Sequence, residues 1–352
     1  MQPRMPADPE PSRLRARSSL WRNWRTWAGL GLSLVCLLLA LADIHLQTLA
    51  VALRSASPVW LLAAAASVLV TGWAKAWRWR LLLYPAAMQP GEAPRVGLAR
   101  LSSIWLAGTG INLALPVPRA GDLLRVYLAG EAGAPSKSLV LGTIAVEKLL
   151  DTLMLAVCLA GLLLLMVLPA ELAQRQTSTF VVAAGMALLT ALLLWQHQRL
   201  IAAAGRLLRH LPRGRSILAS LENGVQGLSA LRQPRPLLGL ALLTLAIWAL
   251  SAASNVLVFR ALALPPSWTA SLFLLVVLQV GVSLPSTPGK IFVFQLLCRW
   301  ALSVFAVGPD LAVAYGILLY LVAPLLLMLV GALALAVEGW RLGRVPHFSA
   351  GV

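Results

Sequence analysis

Apolar residues run along this chain in long uninterrupted stretches, not in the alternating or one-faced patterns of soluble domains. Stretches near the ~20 residues that cross a bilayer as a helix fall at about 28–42, 58–79, 138–168, 180–195, 237–259 and 310–337, each bounded by short polar segments. These are predicted to be six full transmembrane helices. Two further stretches are broken in the middle. Residues 97–115 run into Leu115-Pro116-Val117-Pro118-Arg119 and continue as a short apolar helix over about 120–130. Residues 268–284 run into Leu284-Pro285-Ser286-Thr287-Pro288-Gly289-Lys290 and continue over about 291–305. Proline lacks the helical N–H and clashes with the preceding turn, so each pair of arms predicts a re-entrant hairpin. The plainer alternative is eight spans in which the prolines are kinks. The expected fold is therefore an all-α polytopic membrane protein of about six full spans and two proline-broken hairpins. The pattern span, broken hairpin, span occurs twice and marks a candidate inverted repeat.

Composition agrees with the pattern. Charged residues make up 12% of the chain and hydrophobic residues 59%, with mean hydropathy +0.82, against about a quarter charged in soluble domains. An ordinary water-soluble globule is excluded. The net charge of +17 would suggest nucleic acid in a soluble protein, but the bases are spread over short segments flanking apolar runs, as the positive-inside rule requires of cytoplasmic loops. Residues 1–26, with six arginines, read as a disordered basic cytoplasmic tail, 27–340 as one integral membrane domain, and 341–352 as a cytoplasmic tail. Within the domain, residues 197–236 place seven arginines among Leu200, Ile201, Leu207, Leu208 and Leu211, an amphipathic pattern suited to an anionic cytoplasmic surface. Both termini then lie in the cytoplasm of a cell whose inner membrane holds the chain. The first hairpin dips in from the cytoplasm and the second from outside. The run 28–42 is read as a retained span. Ala40-Leu41-Ala42 also has the form of a signal cleavage site, although the basic region before it is long for a signal. Cys36, Cys158 and Cys298 lie in apolar runs and read as buried thiols.

Charges inside apolar segments carry the functional signal, since each costs about 2.5–3.5 kcal/mol at a helix centre on insertion scales. The candidates are Arg119, Asp122, Arg125, Glu147, Lys148, Asp151, Lys290 and Arg299. Glu147 and Asp151 are four apart and share a helix face, while Lys148 points about 100° away. Those carboxylates are placed to receive the arginines of the first hairpin. The pairing serves either a charged cavity or simply a lock between the hairpin and its neighbour. After the second break, Thr287 suits an N-cap and Pro288 the first helical turn, leaving the Gly289 and Lys290 amides free. A helix start of this kind attracts anions. Arg119 and Lys290 occupy equivalent places after the two breaks, and the eight charges carry a positive excess suited to a lipid phosphate; a kink with a snorkelling base is the plain alternative. Pro116, Pro118, Gly121, Pro285, Pro288 and Gly289 form the helix breaks.

Pro288-Gly289-Lys290 lacks the upstream glycine of a phosphate-binding loop, so no ATPase motif is present. His45, His197, His210 and His347 make no metal constellation and no catalytic triad is legible. No cofactor is expected. The tryptophans, mostly at span ends, read as interfacial anchors.

The motifs together resemble a known family. Asn112 to Val126, containing Pro116-Val117-Pro118-Arg119-Ala120-Gly121-Asp122-Leu123-Leu124-Arg125, then Glu147-Lys148-Leu149-Leu150-Asp151, then Leu284-Pro285-Ser286-Thr287-Pro288-Gly289, with Trp77-Arg78-Trp79-Arg80, are similar to the flippase-like transmembrane region of lysylphosphatidylglycerol synthases and its stand-alone relatives. The likeness spans about 25–340. It implies a protein that moves phospholipid or lipid-linked molecules between leaflets, with charged hairpins lining a cavity, and it does not imply aminoacyl transfer, which belongs to a separate soluble domain. Arg119, Arg125 and Lys290 would hold the headgroup phosphate; Asp122, Glu147, Lys148 and Asp151 would be charge partners or coupling groups. Lys148 stands where the family often has arginine, and Gln295 where a glycine-rich stretch leads to glutamate. Expected partners are membrane lipids, either anionic phospholipid or a polyprenyl-phosphate-linked molecule, and not nucleic acid. Two other readings stand beside this one. One is a non-transporting partner that anchors or presents lipid to a glycosyltransferase or other envelope enzyme through 197–236. The other is an integral-membrane transferase.

Overall fold

The computed structural model describes residues 35–36, 38–40, 44–84, 95–115, 117, 119–165, 185, 234–265, 267–281 and 288–343. The expected tail 1–26, the span 180–195 apart from Gly185, residues 197–233 of the basic segment 197–236, residues 344–352, the break residues Pro116, Pro118 and Pro285 and the expected N-cap Thr287 lie outside them. Among the described residues the regular structure is entirely helical. In chain order the helices are α1 (Leu46–Ser55), α2 (Pro58–Leu83), α3 (Leu98–Ala114), α4 (Ala120–Glu131), α5 (Lys137–Leu165), α6 (Pro234–Ala261), α7 (Trp268–Gly281), α8 (Ile291–Ser303), α9 (Pro309–Tyr320) and α10 (Leu326–Gly343).

Local chemistry sets the helix starts. Pro58 and Pro309 occupy the first turns of α2 and α9, where their missing N–H costs nothing. Ser136 Oγ accepts the Leu139 amide at 3.0 Å and Ser267 Oγ the Ala270 amide at 3.1 Å, capping α5 and α7. A π-turn at Leu321–Leu325 joins α9 to α10, and Pro324 inside it explains the widened winding. Helix α1 was not expected from the sequence; it buries Leu49 and Ala52 against Val313 and Ala314 of α9.

Among the described residues three helical stretches are both long and apolar enough to cross a membrane: Pro58–Leu83, Arg235–Ala261 and the joined α9–α10, Pro309–Gly343. Helix α5 is as long, at 29 residues, but carries Glu147, Lys148 and Asp151. By contrast α4, α7 and α8 rise about 18, 21 and 20 Å, and α3 about 25 Å, at 1.5 Å per residue, less than a ~30 Å hydrocarbon core. These four are the helices on either side of the proline breaks.

Packing follows one scheme in both halves. Helices α2 and α6 form the largest contact and run antiparallel: the Ser57 amide donates to Ala261 O at 2.8 Å, Ser67 Oγ to Leu250 O at 3.1 Å, and Arg78 Nη1 to Thr244 Oγ1 at 3.3 Å. Position climbs on one helix as it falls on the other. The arms α3 and α4 pack together and α4 packs on α5; likewise α7 packs on α8 and α8 on α9. Each first arm also crosses to the other half, α3 onto α10 and α7 onto α5. Two main cores form, one around Trp79, Leu101, Ile104 and Val140 with Ala334 of α10, the other around Phe259, Leu274, Leu302 and Tyr315 with Ala64 of α2.

The second arms begin and end alike. Arg119 (φ 61°, ψ 17°) and Lys290 (φ 54°, ψ 29°) both stand left-handed at the N-caps of α4 and α8. At the other end, left-handed Gly133 and Ala306 close the helices, with the Ala134 amide bonded to Ala129 O at 3.0 Å and the Val307 amide to Leu302 O at 3.2 Å. These are the wrap-around bonds of a Schellman stop.

A buried ion network beside the first hairpin

The first hairpin folds tightly because two glycines meet. A Cβ on Gly121 would run into the Gly108 carbonyl, so only glycine lets α4 lie backbone to backbone on α3. Asn112 bridges the turn: its Oδ1 accepts the Gly121 amide at 2.8 Å and its Nδ2 donates to Asp122 Oδ1 at 3.0 Å. Asp122 is thereby fixed in the first turn of α4, where a carboxylate complements the exposed amides.

One turn on, Arg125 reaches across to α5. Its Nη2 donates to Glu147 Oε2 at 2.8 Å, its Nη1 lies 4.0 Å from Asp122, and its guanidinium stacks 4.3 Å from the centre of the Trp79 ring. That ring is held in turn by Trp79 Nε1 donating to Thr143 Oγ1 at 3.0 Å. Arg78, on α2, completes the array. Its Nη1 donates to Asp151 Oδ1 at 2.7 Å, and its Nη2 lies 3.8 Å from Glu147 Oε1. Arg78, Arg125, Glu147 and Asp122 are 0%, 2%, 3% and 6% exposed, so these ions are taken out of solvent. The Asp151 side chain keeps 18% exposure, and Lys75, a turn before Arg78, is partly buried with Nζ over the Trp105 ring at 5.8 Å. Asp151 and Lys75 are thus the outward end of the network.

Lys75, Arg78 and Arg125 balance Asp122, Glu147 and Asp151, which makes so deep a cluster tolerable: unpaired, each charge would cost several kcal/mol. Satisfaction is incomplete, however. Arg78 Nε and Nη2, Arg125 Nε and Trp105 Nε1 are buried donors that meet no acceptor among the described residues.

The expected residues therefore divide. Glu147 and Asp151 do share a face and both take arginines, but only Arg125 comes from the hairpin; Arg78 of α2 serves Asp151. Lys148 is exposed on another side of α5, and Arg119 is exposed at the hairpin tip. Lys290 is partly buried, and its turn, Pro288–Lys290, lies against α3 of the first hairpin. Gly289 (φ 74°) needs its glycine, and its carbonyl accepts the Tyr320 hydroxyl at 2.7 Å. Arg299 points elsewhere: Nη1 donates to Leu39 O at 2.6 Å and Ala40 O at 3.1 Å, at the end of the first apolar run. Among the described residues no group of His, Cys, Asp and Glu is arranged to hold a metal.

Sequence reasoning missed Arg78, Lys75 and the two tryptophans. Neither base stands among the eight charges singled out above; the legible signal was that Thr71, Lys75, Arg78 and Trp79 fall on one helical face. Trp79 and Trp105, expected as anchors, are 0% and 4% exposed and line the network.

A family model described as lysylphosphatidylglycerol synthase TM region matches residues 26–331. The chain belongs to that family. No curated protein and no solved structure matches it. Within the lysylphosphatidylglycerol synthase TM family, the match takes in both hairpins and every member of the ion network. The protein is a multi-pass membrane protein of lipid metabolism or transport.

Proposed function

We propose that this chain is a translocase that carries phosphate-bearing lipids between the leaflets of the cytoplasmic membrane. The architecture proposed is six full spans and two re-entrant hairpins, with both termini in the cytoplasm. The halves α2–α5 and α6–α10 are inverted copies about an axis through the antiparallel α2–α6 contact.

One observation carries the reading. Both hairpins present a basic residue, Arg119 or Lys290, in a left-handed conformation immediately before a short helix, and the second turn rests against the first hairpin. Left-handed backbone costs roughly 1–2 kcal/mol in a non-glycine residue, and such strain gathers at ligand contacts. The other two, Ala263 and Ala306, follow helices and serve as stops. A base and the positive end of a helix dipole then converge twice, once per half, which favours an anion at each. In the mechanism, a headgroup phosphate passes between Arg119 and Lys290 while its tails stay in lipid, and rocking of the halves about α2–α6 alternates access. The network of Arg78, Arg125, Asp122, Glu147 and Asp151 holds the first hairpin in register with α5.

The test is reconstitution into liposomes with headgroup-labelled phosphatidylglycerol, aminoacylated lipid or polyprenyl phosphate and an impermeant quencher. Faster loss of inner-leaflet protection than in empty vesicles is expected for at least one lipid, slowed about tenfold or more by Arg119→Ala or Lys290→Ala, roughly the worth of one charge-assisted contact. No acceleration for any of them overturns the reading; normal rates in both variants remove the two bases from it.

A further inference from the structure

The joined helix α9–α10 passes from one packing unit to another. Its first part, α9, is fastened to α8 and α6. A Cβ on Gly316 would stand 3.0 Å from Cys298 Cβ and 3.3 Å from Gln295 Cα, and the Tyr315 hydroxyl donates to Asn255 O at 2.9 Å. Its second part, α10, is fastened to α3 along a single stripe, Gly331, Ala334 and Glu338. A Cβ on Gly331 would stand 2.6 Å from Leu106 O and 2.7 Å from Gly110 Cα, so the two backbones touch. Further along, Glu338, 1% exposed, accepts Arg100 Nε at 3.4 Å and Arg341 Nη1 at 2.6 Å. Surfaces packed this closely keep one register and do not slide.

Between the two fastenings lies the π-turn Leu321–Leu325. Pro324 offers no N–H, so one carbonyl of the preceding turn lacks its helical bond. The turn also has room to bend. An open apolar cavity of about 250 Å³ lies beside it, bounded by Pro58, Leu61 and Ala65 of α2 and by Leu321, Val322 and Leu326. A cavity walled by such side chains changes shape without breaking a hydrogen bond. The counterpart in the first half has no joint of this kind. Helix α5 makes the same passage, with Val140 and Ile144 in the core beside the first hairpin and Cys158 and Leu162 beside Val276 of α7, yet it is helical from Lys137 to Leu165 and contains no proline.

The residue before the turn sets what a bend would move. Tyr320 ends α9, and its hydroxyl donates to Gly289 O at 2.7 Å. The Pro288–Lys290 turn therefore travels with α9, whereas α3, on which that turn rests, travels with α10.

We infer that the Leu321–Leu325 turn is a hinge that opens and closes the Pro288–Lys290 turn against α3, with Pro324 as its positioning residue and Tyr320 as the tether. It rests on the translocase reading and adds how the movement is divided: rocking of the halves leaves α10 with α3 and is taken up at this turn.

The experiment is pulsed electron spin resonance on the full chain in liposomes, with Cys36, Cys158 and Cys298 replaced by alanine and nitroxides on introduced cysteines. The pair Ile291→Cys and Leu333→Cys spans the hinge, and the pair Leu115→Cys and Leu333→Cys lies within the α3–α10 unit; Ile291, Leu333 and Leu115 are 42%, 67% and 45% exposed. Two distance populations are expected across the hinge and one within the unit. Pro324→Ala restores the N–H and should leave a single population across the hinge, slowing maximal transport about threefold or more at an unchanged half-saturating lipid concentration. A single distance across the hinge without that substitution, or two that Pro324→Ala leaves in the same ratio, overturns the inference. Should Pro324→Ala not fold, amide exchange of the wild-type chain decides. The amides of Val322, Ala323, Leu325 and Leu326 are expected to exchange about tenfold or more faster than those of residues 313–319, and equal protection overturns the hinge. Two populations without transport of any lipid sink the translocase reading alone; transport with a single distance across the hinge sinks the hinge alone.

Discussion

The two hairpins share a backbone plan and differ in what holds them. In the first, α3 and α4 touch through Gly108 and Gly121, Asn112 ties the turn, and Arg125 is bonded to Glu147 on α5. In the second, α8 meets α9 through apolar packing and neutral contacts: Phe294 against the Tyr320 ring at 5.6 Å, Cys298 against Gly316, and the Tyr320 hydroxyl on Gly289 O. The left-handed start and the Schellman stop occur in both. The hairpin geometry therefore does not need ions. Among the described residues the ions between hairpin and neighbour helix stand at the first hairpin, at several kcal/mol of desolvation each, and a cost the hairpin geometry does not require points to use.

The sharpest way to break this contrast is to remove the shared carboxylate. Glu147→Gln leaves Arg125 and part of the field on Arg78 uncompensated in positions 2% and 0% exposed. Loss of about 3–5 kcal/mol is expected, read as a large drop in thermal midpoint in detergent. A drop no larger than that of a neutral substitution in the second hairpin would show that the ions are not what locks the first.

Next in size comes a matched pair of glycines. Gly121→Ala puts a methyl into the Gly108 carbonyl, which cannot turn aside, and about 1–3 kcal/mol is expected from overpacking. Gly281→Ala in the second hairpin meets only the end of the Leu297 side chain, which can change rotamer, so well under about 1 kcal/mol should be lost there. Equal destabilisation of the two would mean that the arms are equally rigid.

This asymmetry was half legible in the sequence. The breaks announced where paired short helices part because proline and glycine act through local backbone rules, and Glu147 and Asp151 announced a shared face because helical spacing is local too. What could not be read was which cation each would meet. That depends on the antiparallel contact of α2 and α6, which brings Arg78 to Thr244 and, with α5, to Asp151. From spacing alone, a base one turn from a helix end reads as a snorkelling interfacial residue. The left-handed state of Arg119 and Lys290 was likewise hidden, since non-glycine residues seldom adopt it; the equivalence of the two positions was all that the pattern offered. Helix α1 was passed over because ten residues give too little periodicity to separate from a loop.

A smaller effect is expected at the second turn. Tyr320→Phe removes the hydroxyl from Gly289 O and keeps the ring against Phe294. The turn should loosen by about 1 kcal/mol, one neutral hydrogen bond, seen as faster amide exchange at Lys290 and Ile291 with little change in global stability. Unchanged exchange there would mean that the contact between the Pro288–Lys290 turn and α3, not the tyrosine, fixes the second hairpin.

The least effect, and the most diagnostic sign, belongs to Gln295. It stands on α8 at 8% exposure, and its buried Oε1 meets no donor among the described residues. Replacing a buried orphan acceptor by an apolar group of similar size removes a desolvation penalty and breaks no bond to that oxygen. Gln295→Leu should therefore leave stability within about 0.5 kcal/mol of wild type or raise it, while the substitution of Glu147 lowers it severely. If the leucine variant instead unfolds as readily as the Glu147 variant, the amide belongs to a polar lock in the second hairpin equal to that of the first. The two halves would then differ in the kind of polar group they bury and not in whether they need one.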